Sequence, residues 1–581
     1  MGKFLFSFRK HTNLWVLLFY LVVTLVFTYP LVLRMRDQVV GQIGDNIYFI
    51  WLIRWYQKAL FELKINPFFN PFLNYPEGWN LASTDTTPSM MLLAIPASWL
   101  GGATWGFNFA MLASFVLSGW GMYLWVRHLT GNVLAGLLAG TVFAFLPYRM
   151  AHFLVGHLNL MGTMFFPFYF WSLYSLLRQP RWSWKPVLGA AISLGLISGI
   201  APYYIYMTVL FSAVFVVVYL LGLNCRQLSN VAFWKNMLAF GTLAIPLVLL
   251  PMLPYVMYNE QGGLASRSME YASSLSASPT DFVLPSTDHF LLGRWIGSHF
   301  DRSLWIEATL YMGIVPMGLG VLALVKRKSA PWSDLVVLSV VMILISFILA
   351  LGTHLHWLNQ KVILPVPIFL QDRLHISSIS IPLPGKYLFY ILPLYSKMRT
   401  LARFGFMALI FTSLLSGLGM VWLLEQPLFR QHSWKRILLS LALFGLALFD
   451  FYPGPYQNFA RVDARPVDYW LAEQPADGAV VQFPFVQNRD QDQVYNTLIH
   501  QKPFVGGFFS ANQPTQYSRI QPVLEQFPTQ GGVDLLRELG VRYVVVDSSQ
   551  YENIDQLDQQ MRALGLEFAR AEDGQSVYLV P

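Results

Sequence analysis

The sequence predicts a polytopic α-helical membrane protein of about eleven transmembrane helices with a small α/β domain at its C-terminal end. Two compositional observations predict the membrane class. Apolar residues make up 55% of the 581 residues and charged residues only 12%, and the mean hydropathy of +0.46 is far above that of a soluble chain. A third observation, a change to polar composition near residue 456, predicts the C-terminal domain.

Eleven apolar segments are long enough to cross a bilayer. They are residues 14–33, 106–126, 132–147, 158–177, 186–201, 203–223, 237–257, 308–325, 333–351, 401–424 and 437–452. The apolar run 90–100 is too short to cross and contains Pro96, so we interpret it as a re-entrant or interfacial helix. The first span lacks a small-residue cleavage site, which predicts that it is retained as a membrane helix.

Clusters of lysine and arginine at alternate ends of these spans predict the orientation. The clusters lie within residues 3–10, 178–185, 226–235, 326–328 and 430–436, and the positive-inside rule places such loops in the cytoplasm. The N-terminus is then cytoplasmic. The loops 34–105, 258–307 and 352–400 and the C-terminal domain face the opposite side.

Charge and cysteine content bear on partners and location. The net charge of +8 comes mostly from basic residues at span ends, so it indicates orientation and contact with membrane lipids, and no nucleic-acid partner is predicted. Cys225 is the only cysteine of the chain, which excludes an intramolecular disulfide. An exported domain without disulfides fits a bacterial inner or plasma membrane protein.

The polar C-terminal domain is predicted to span residues 454–581, after a membrane domain of residues 1–453. Short apolar runs at 480–485, 541–547 and 577–580 predict buried strands. Helical spacing occurs at 466–473, 533–539 and 554–564. The domain has no P-loop, GxGxxG, HExxH or GxSxG pattern, so we expect it to flank the site and recognise an acceptor, and not to supply the catalytic base.

The first external loop contains the main catalytic candidate, Asp45. It follows the first span and precedes an aromatic-rich segment with Tyr48, Trp51 and Trp55, which has the spacing of an amphipathic helix on the membrane surface. A carboxylate beside a bilayer is costly to keep unless it is used. It could act as general base toward an acceptor hydroxyl, and the aromatic side chains suit a sugar. The alternative, that Asp45 only caps the helix, stays open.

The same loop contains three further candidates. Asp85 is the second catalytic candidate, although it could equally cap the short helix that begins at Pro88. Tyr75 and Glu77, in the run from Asn70 to Gly78, are candidates for substrate binding.

Two other regions are predicted to bind an anion. Arg149, His152 and His157 form one, because Arg is a good bidentate partner for phosphate or carboxylate. In the alternative, Arg149 extends its guanidinium to the membrane interface and a His caps a helix. The spacing of five between the two His argues against a shared metal ion.

The second region contains Arg399 and Arg403, which precede a span on the external side and depart from the positive-inside pattern. Such exceptions mark either a site for a lipid phosphate or headgroup anchoring. No cofactor is predicted with certainty. A divalent cation stays an open alternative, because the carboxylates Glu270, Asp281, Asp288 and Glu307 supply enough oxygen ligands, although their wide spacing defines no site.

These segments together resemble the GT-C superfamily of membrane glycosyltransferases, which use polyprenyl-phosphate sugars, and especially its YfhO-like bacterial members. The segments that carry the resemblance are Gly44-Asp45, Tyr75-Pro76-Glu77-Gly78, Thr87-Pro88, 126–131, 307–316 and 399–403. The resemblance implies that Asp45 occupies the place of the catalytic aspartate. This chain departs from the familiar pair of acids, since Asn46 follows Asp45.

The leading hypothesis is an inverting transfer of a sugar from a polyprenyl-phosphate-linked donor to an external glycan, lipid or protein acceptor. Asp45 would take the acceptor proton, and Arg149, or Arg399 and Arg403, would stabilise the departing lipid phosphate. Two alternatives stay open. One is a lipid or glycan transporter or flippase, although no ionisable residues cluster at mid-bilayer, and the other is a non-catalytic scaffold of the cell envelope.

Overall fold

The computed structural model describes residues 12–263, 266–301, 304, 306–369, 371, 377–486, 490–507 and 513–581. The chain divides into two compact units. The helical unit consists of Met1–Leu33, Met111–Met252 and Ser266–Gln457, and the mixed unit consists of Arg34–Ala110, Leu253–Ala265 and Asn458–Pro581. The predicted boundary between residues 453 and 454 stays a prediction.

The helices are labelled in chain order. The first eleven are α1 (Thr12–Phe27), α2 (Asp45–Gln57), α3 (Pro88–Gly101), α4 (Ala103–Thr130), α5 (Val133–Phe145), α6 (Pro147–Leu154), α7 (Leu158–Met161), α8 (Phe165–Arg178), α9 (Trp184–Ser198), α10 (Pro202–Val217) and α11 (Val231–Glu260). The next eight are α12 (Met269–Ser274), α13 (Gly293–His299), α14 (Ile314–Val325), α15 (Ser333–Ala350), α16 (Pro384–Ile391), α17 (Gly405–Leu424), α18 (Pro427–Arg430) and α19 (Ser433–Phe451). The C-terminal helices are α20 (Pro466–Glu473), α21 (Asp490–His500), α22 (Thr515–Leu524), α23 (Gln530–Glu538) and α24 (Ile554–Ala563).

The strands are labelled in the same way. Most are short, namely β1 (Gln38–Val40), β2 (Phe69–Asn70), β3 (Trp79–Asn80), β4 (His356–Trp357), β5 (Gln360–Lys361), β6 (Ile363–Pro365), β7 (Ser378–Ser380) and β8 (Phe459–Arg461). The longer strands lie near the C-terminus and are β9 (Ala479–Phe483), β10 (Val541–Asp547), β11 (Glu567–Glu572) and β12 (Gln575–Leu579).

Six helical segments of the described residues are long and apolar enough to cross a membrane. They are Ala103–Thr130, Val133–Leu154, Pro202–Leu223, Val231–Glu260, Ser333–Ala350 and Leu401–Leu424. The class of helical membrane protein is thereby confirmed, whereas the number of eleven spans stays a prediction. The apolar run 90–100 forms α3, whose 14 residues extend about 21 Å, less than the bilayer core of roughly 30 Å.

The buried centre of the helical unit is α17. It packs against α5, α14 and α15. In the segment Leu401–Leu424, 89% of the most apolar stretch of 18 residues is buried. Glycine allows one of these contacts, because a Cβ atom on Gly419 would lie 2.0 Å from the Leu319 carbonyl oxygen. Small residues at such positions let helix backbones approach closely within a membrane, where packing holds helices together.

A four-stranded sheet forms the core of the C-terminal part of the mixed unit. Its order is β11-β12-β10-β9. Strands β9 and β10 are parallel, and β12 is antiparallel to both of its neighbours. The three predicted strands coincide with β9, β10 and β12. The sequence analysis missed β11, which is an edge strand without fully buried residues.

The first long loop is tied to this C-terminal part within the mixed unit. The backbone of β1 pairs antiparallel with β8. Further along, Asn74 donates its N–H to the Gly506 oxygen at 2.7 Å, and Phe504 donates to the Phe72 oxygen at 2.8 Å. These bonds fix the segments on both sides of α2, the helix that begins at Asp45.

Candidate functional site

Asp45 is the first residue of α2 and is half-buried. Its carboxylate lies at the positive end of the helix dipole, which favours negative charge there. The side-chain amide of Gln491, on α21, donates to Asp45 Oδ1 at 2.8 Å, and α21 packs on α2. The N-cap of α2 is Gly44 and makes no side-chain capping bond. Asp45 is therefore the first residue after the N-cap, and the alternative in which it only stabilises the start of the helix stays open.

Asn46 fixes the loop in front of Asp45. Its side chain is fully buried, donates from Nδ2 to the Gln42 oxygen at 2.8 Å, and accepts from the Gly44 N–H at Oδ1 at 3.0 Å. An aspartate could accept from Gly44 but could not donate to Gln42. The absence of a second acid next to Asp45 thus has a local structural reason.

Asp85 lies two residues before Thr87, the N-cap residue of α3, and both its catalytic role and its role at the start of that helix stay predictions. The hydroxyl of Tyr48, one turn along α2 from Asp45, is 2.6 Å from Thr84 Oγ1 and donates to the Asp85 backbone oxygen at 3.3 Å. Burial raises the pKa of Tyr48 well above its usual value, and the nearby Asp85 charge adds to the rise. The Tyr48 phenol, which is protonated, therefore connects the first turn of α2 to the backbone of the segment that contains Asp85.

The aromatic residues of α2 are core and not a sugar platform. Tyr48, Trp51 and Trp55 are each at most 3% exposed, and Trp51 stacks on both Trp55 and Trp79. The prediction of an amphipathic helix lying on the membrane surface is wrong, since eleven of the 13 residues of α2 are buried. The C-terminal helix α21 covers a face of α2 that the local pattern left open.

Tyr75 and Glu77 lie in a turn that the mixed unit holds rigid. Gln516 donates from Nε2 to the Tyr75 oxygen at 2.6 Å and accepts from the Glu77 N–H at 3.3 Å. The Tyr75 side chain is half-buried and the Glu77 carboxylate is exposed. Both are positioned by residues of the C-terminal segment, so either could contact a ligand without rearrangement of the backbone.

Arg149 belongs to the helical unit and is fully buried. Its guanidinium donates to the Ala144 oxygen at 3.1 Å and to Ser114 Oγ at 2.9 Å, and it lies 4.6 Å from the centre of the Phe115 ring. Its Nε has no hydrogen-bond partner among the described residues. These contacts brace α4 against the junction of α5 and α6.

His152 and His157 contact each other. Their Nδ1 atoms are 2.9 Å apart, so one ring donates and the other accepts. His152 is fully buried, and its Nε2 has no hydrogen-bond partner among the described residues. The spacing of five did not predict this direct hydrogen bond between the two rings, and the role of the pair in binding an anion stays a prediction.

Arg403 forms an ion pair with Glu307, a residue that the sequence analysis noted only among widely spaced carboxylates and in a segment of the family resemblance. Arg403 Nε donates to Glu307 Oε2 at 3.0 Å, and the two side chains are 13% and 15% exposed. Burial alone would raise the pKa of Glu307, but the Arg403 charge lowers it to about 2, assisted by the neighbouring histidines. Arg403 is therefore already neutralised.

Arg399 differs from the other two predicted phosphate-binding arginines. It is exposed, and the described residues give it no carboxylate partner. The sequence analysis missed Gln491, because its contact with Asp45 joins residues that are distant in sequence.

No three His, Cys, Asp or Glu side chains lie close enough to hold a metal ion within the part of the chain that the structure describes. Asp281 instead accepts from the Ser278 N–H at 2.7 Å and from the Asn359 amide at 3.0 Å. A divalent cation stays an open alternative.

Comparisons with known proteins give a family and a fold. The model of the family DUF6311, a domain of unknown function, matches residues 16–416. No curated protein matches the chain. Among solved structures, the arabinofuranosyltransferase AftD from Mycobacteria is similar with a TM-score of 0.56 at 15% identity, over 98% of this chain. This chain spans only 40% of AftD.

Two other solved structures are similar at lower scores. ArnT from Cupriavidus metallidurans, bound to undecaprenyl phosphate, has 12% identity and a TM-score of 0.49, with 98% of each chain covered. The oligosaccharyltransferase AglB from Archaeoglobus fulgidus has 15% identity and a TM-score of 0.45, with 99% of this chain and 75% of AglB covered. The likeness to AftD confirms the GT-C fold that the sequence resemblance implied.

Proposed function

This chain belongs to the DUF6311 family, and from that premise and its GT-C fold we propose that it transfers a sugar from a polyprenyl-phosphate-linked donor to an extracytoplasmic acceptor. The observation that carries the proposal is Asp45, a half-buried carboxylate on the first turn of α2. Its loop is fixed by Asn46 and its Oδ1 is held by Gln491. Such preorganisation of a charged group is what general base catalysis requires.

The proposed step is a direct displacement. Asp45 takes the proton of the acceptor hydroxyl, whose oxygen forms a bond with the anomeric carbon of the sugar. The bond between that carbon and the phosphate oxygen breaks, and the lipid phosphate leaves with the electron pair. One carboxylate is sufficient for this inverting course, whereas a retaining double displacement would need a nucleophile as well. Asp85 is the second candidate for the acid–base role.

Of the three arginines predicted to bind the lipid phosphate, Arg399 is the one that we propose for this role. Arg403 is paired with Glu307, and Arg149 is buried among Ser114, Ala144 and Phe115. An exposed guanidinium without a carboxylate partner is suited to bidentate binding of a phosphate. Replacement of Arg399 by Ala should therefore raise KM for the donor, whereas Arg399→Lys should restore it in part.

The test of the function is the lipid content of cells that lack the protein. We expect a polyprenyl-phosphate-linked sugar to accumulate in them, measured by mass spectrometry of extracted lipids, and to disappear when the wild-type protein is restored. A transporter gives a different result in purified form. If proteoliposomes without acceptor move the lipid-linked sugar across the bilayer and leave it chemically intact when acceptor is added, the proposal is wrong.

A further inference from the structure

A groove runs along the surface of the helical unit, between the loop before α9 and the first turns of α11. It has a volume of about 590 Å³ and is lined by two tryptophans, one lysine and an apolar strip of α11, namely Trp182, Trp184, Lys235, Leu238, Ala239, Thr242 and Leu243. This volume lies within the range of small-molecule binding pockets. None of these residues belongs to the candidate site described above.

The wall of the groove that carries the two tryptophans is held in place by Asn236. This fully buried side chain donates from Nδ2 to the Arg181 oxygen at 3.0 Å and accepts from the Ser183 N–H at 3.1 Å. The loop is thereby fixed to α11. The rings of Trp182 and Trp184 meet edge to face, with centres 4.9 Å apart, yet they are 43% and 53% exposed. They form a fixed aromatic wall with little to cover it.

The floor of the groove is apolar and continues along α11. Leu238 and Thr242 are one helical turn apart, as are Ala239 and Leu243, so the four residues share one face of the helix. Leu238 is 73% exposed, and only 17% of the most apolar stretch of 18 residues in α11 is buried. The strip is suited to a hydrocarbon chain lying parallel to the helix.

Positive charge collects at one end of this strip. Lys235 lines the groove, and Arg181 and Lys185 flank the two tryptophans in sequence. All three are exposed, and the described residues give none of them a carboxylate partner. Aromatic and basic residues at a membrane–water interface typically contact lipid headgroups.

We infer that the groove binds one molecule of an anionic phospholipid. The headgroup phosphate lies against Lys235, the glycerol backbone contacts Trp182 and Trp184, and an acyl chain follows Leu238 and Leu243 on α11. Charge complementarity at one end and an apolar strip at the other select a lipid in preference to a soluble anion or a peptide. The inference does not depend on the proposed glycosyl transfer.

Native mass spectrometry of the purified full-length protein tests the inference. The protein, delipidated in neutral detergent, is titrated separately with phosphatidylglycerol and with phosphatidylcholine of the same acyl chains. We expect one phosphatidylglycerol to bind preferentially. The substitution Lys235→Gln should weaken its binding about fivefold, in line with the effect of one basic residue near an anionic lipid. The double substitution of Trp182 and Trp184 by Ala should remove the preferential site.

Two matched variants serve as controls. Trp234 is 53% exposed, precedes Lys235 and does not line the groove, and Arg226 is an exposed basic residue of the loop before α11 that does not line the groove. Trp234→Ala and Arg226→Gln should bind phosphatidylglycerol like the wild type. Equal binding of the two lipids by the wild type, or equal losses in control and groove variants, would show non-specific anchoring and overturn the inference.

Discussion

Asn46 illustrates how a single amide can set the geometry of a neighbouring carboxylate. Its two hydrogen bonds, to the Gln42 oxygen and from the Gly44 N–H, fix the backbone that leads into Asp45. We predict that Asn46→Asp, which would recreate a pair of adjacent acids, destabilises the protein by about 1–3 kcal/mol, because a buried carboxylate then faces a carbonyl oxygen. Thermal unfolding of the purified variant measures this. A variant that is as stable as the wild type and more active would show that the second acid is missing for another reason.

Gln491 gives a second prediction at the residue scale. Its side-chain amide donates a hydrogen bond from the C-terminal segment to the Asp45 carboxylate. We predict that Gln491→Ala lowers the rate of sugar transfer about tenfold, which corresponds to an increase of about 1.4 kcal/mol in the activation free energy. The free energy of unfolding should stay within about 0.5 kcal/mol of the wild-type value. Gln550→Ala is the control, since Gln550 is an exposed glutamine whose amide donates to the adjacent Ser549. Equal transfer rates in both variants would remove Gln491 from the site.

The ion pair between Glu307 and Arg403 connects the turn before α14 to the start of α17, so its effect belongs to the scale of elements. The folded-state pKa of Glu307, about 2, is lower than the ordinary value of 4.5. The resulting stabilisation is present above pH 4.5 and is lost as the pH falls toward about 2. We predict that Glu307→Gln costs about 3–5 kcal/mol at pH 7, because it leaves a buried guanidinium unpaired, and that it flattens the dependence of stability on pH in this acidic range.

Thermal unfolding across this pH range measures the effect. Glu62→Gln is the matched control, since Glu62 pairs with Arg54 on the surface, where the side chains are 48% and 41% exposed. An exposed pair contributes at most about 1 kcal/mol. If the two variants lose the same stability, Glu307 and Arg403 do not form a buried pair.

Individual elements could be predicted from the sequence where one local pattern dominates. The buried apolar run from Tyr543 to Val546 marked β10, but three of the six residues of β11 are charged and none is fully buried, so β11 is recognisable only once β12 is beside it. The spacing of Trp51 and Trp55 predicted a surface helix. What buries this helix is α21, whose Gln491 is 446 residues from Asp45 in sequence, and no local pattern carries such a contact.

The native cysteine makes the whole-molecule topology testable. Cys225 is exposed and lies between α10 and α11, in a loop that the positive-inside rule places in the cytoplasm. We predict that a membrane-impermeant maleimide labels Cys225 only after cells are permeabilised. In a Cys225→Ser background, Gln550→Cys lies on the exposed surface of the C-terminal segment. It should be labelled in cells whose outer envelope is permeable to the reagent but whose plasma membrane is sealed. Labelling of both sites from the same side would contradict the predicted topology.

The central claim for the molecule is that Asp45 is the base of a sugar transfer. The measurement that tests it most directly is the rate at which Asp45→Asn converts the lipid-linked sugar that accumulates in cells lacking the protein. We predict a loss of at least about 100-fold, with insertion and thermal unfolding unchanged. Asp37→Asn should keep the wild-type rate, since Asp37 is a carboxylate of the same loop that is 46% exposed and pairs with Arg461 at 3.6 Å. Conversion by folded Asp45→Asn within about twofold of the wild-type rate, well short of that loss, would contradict the account.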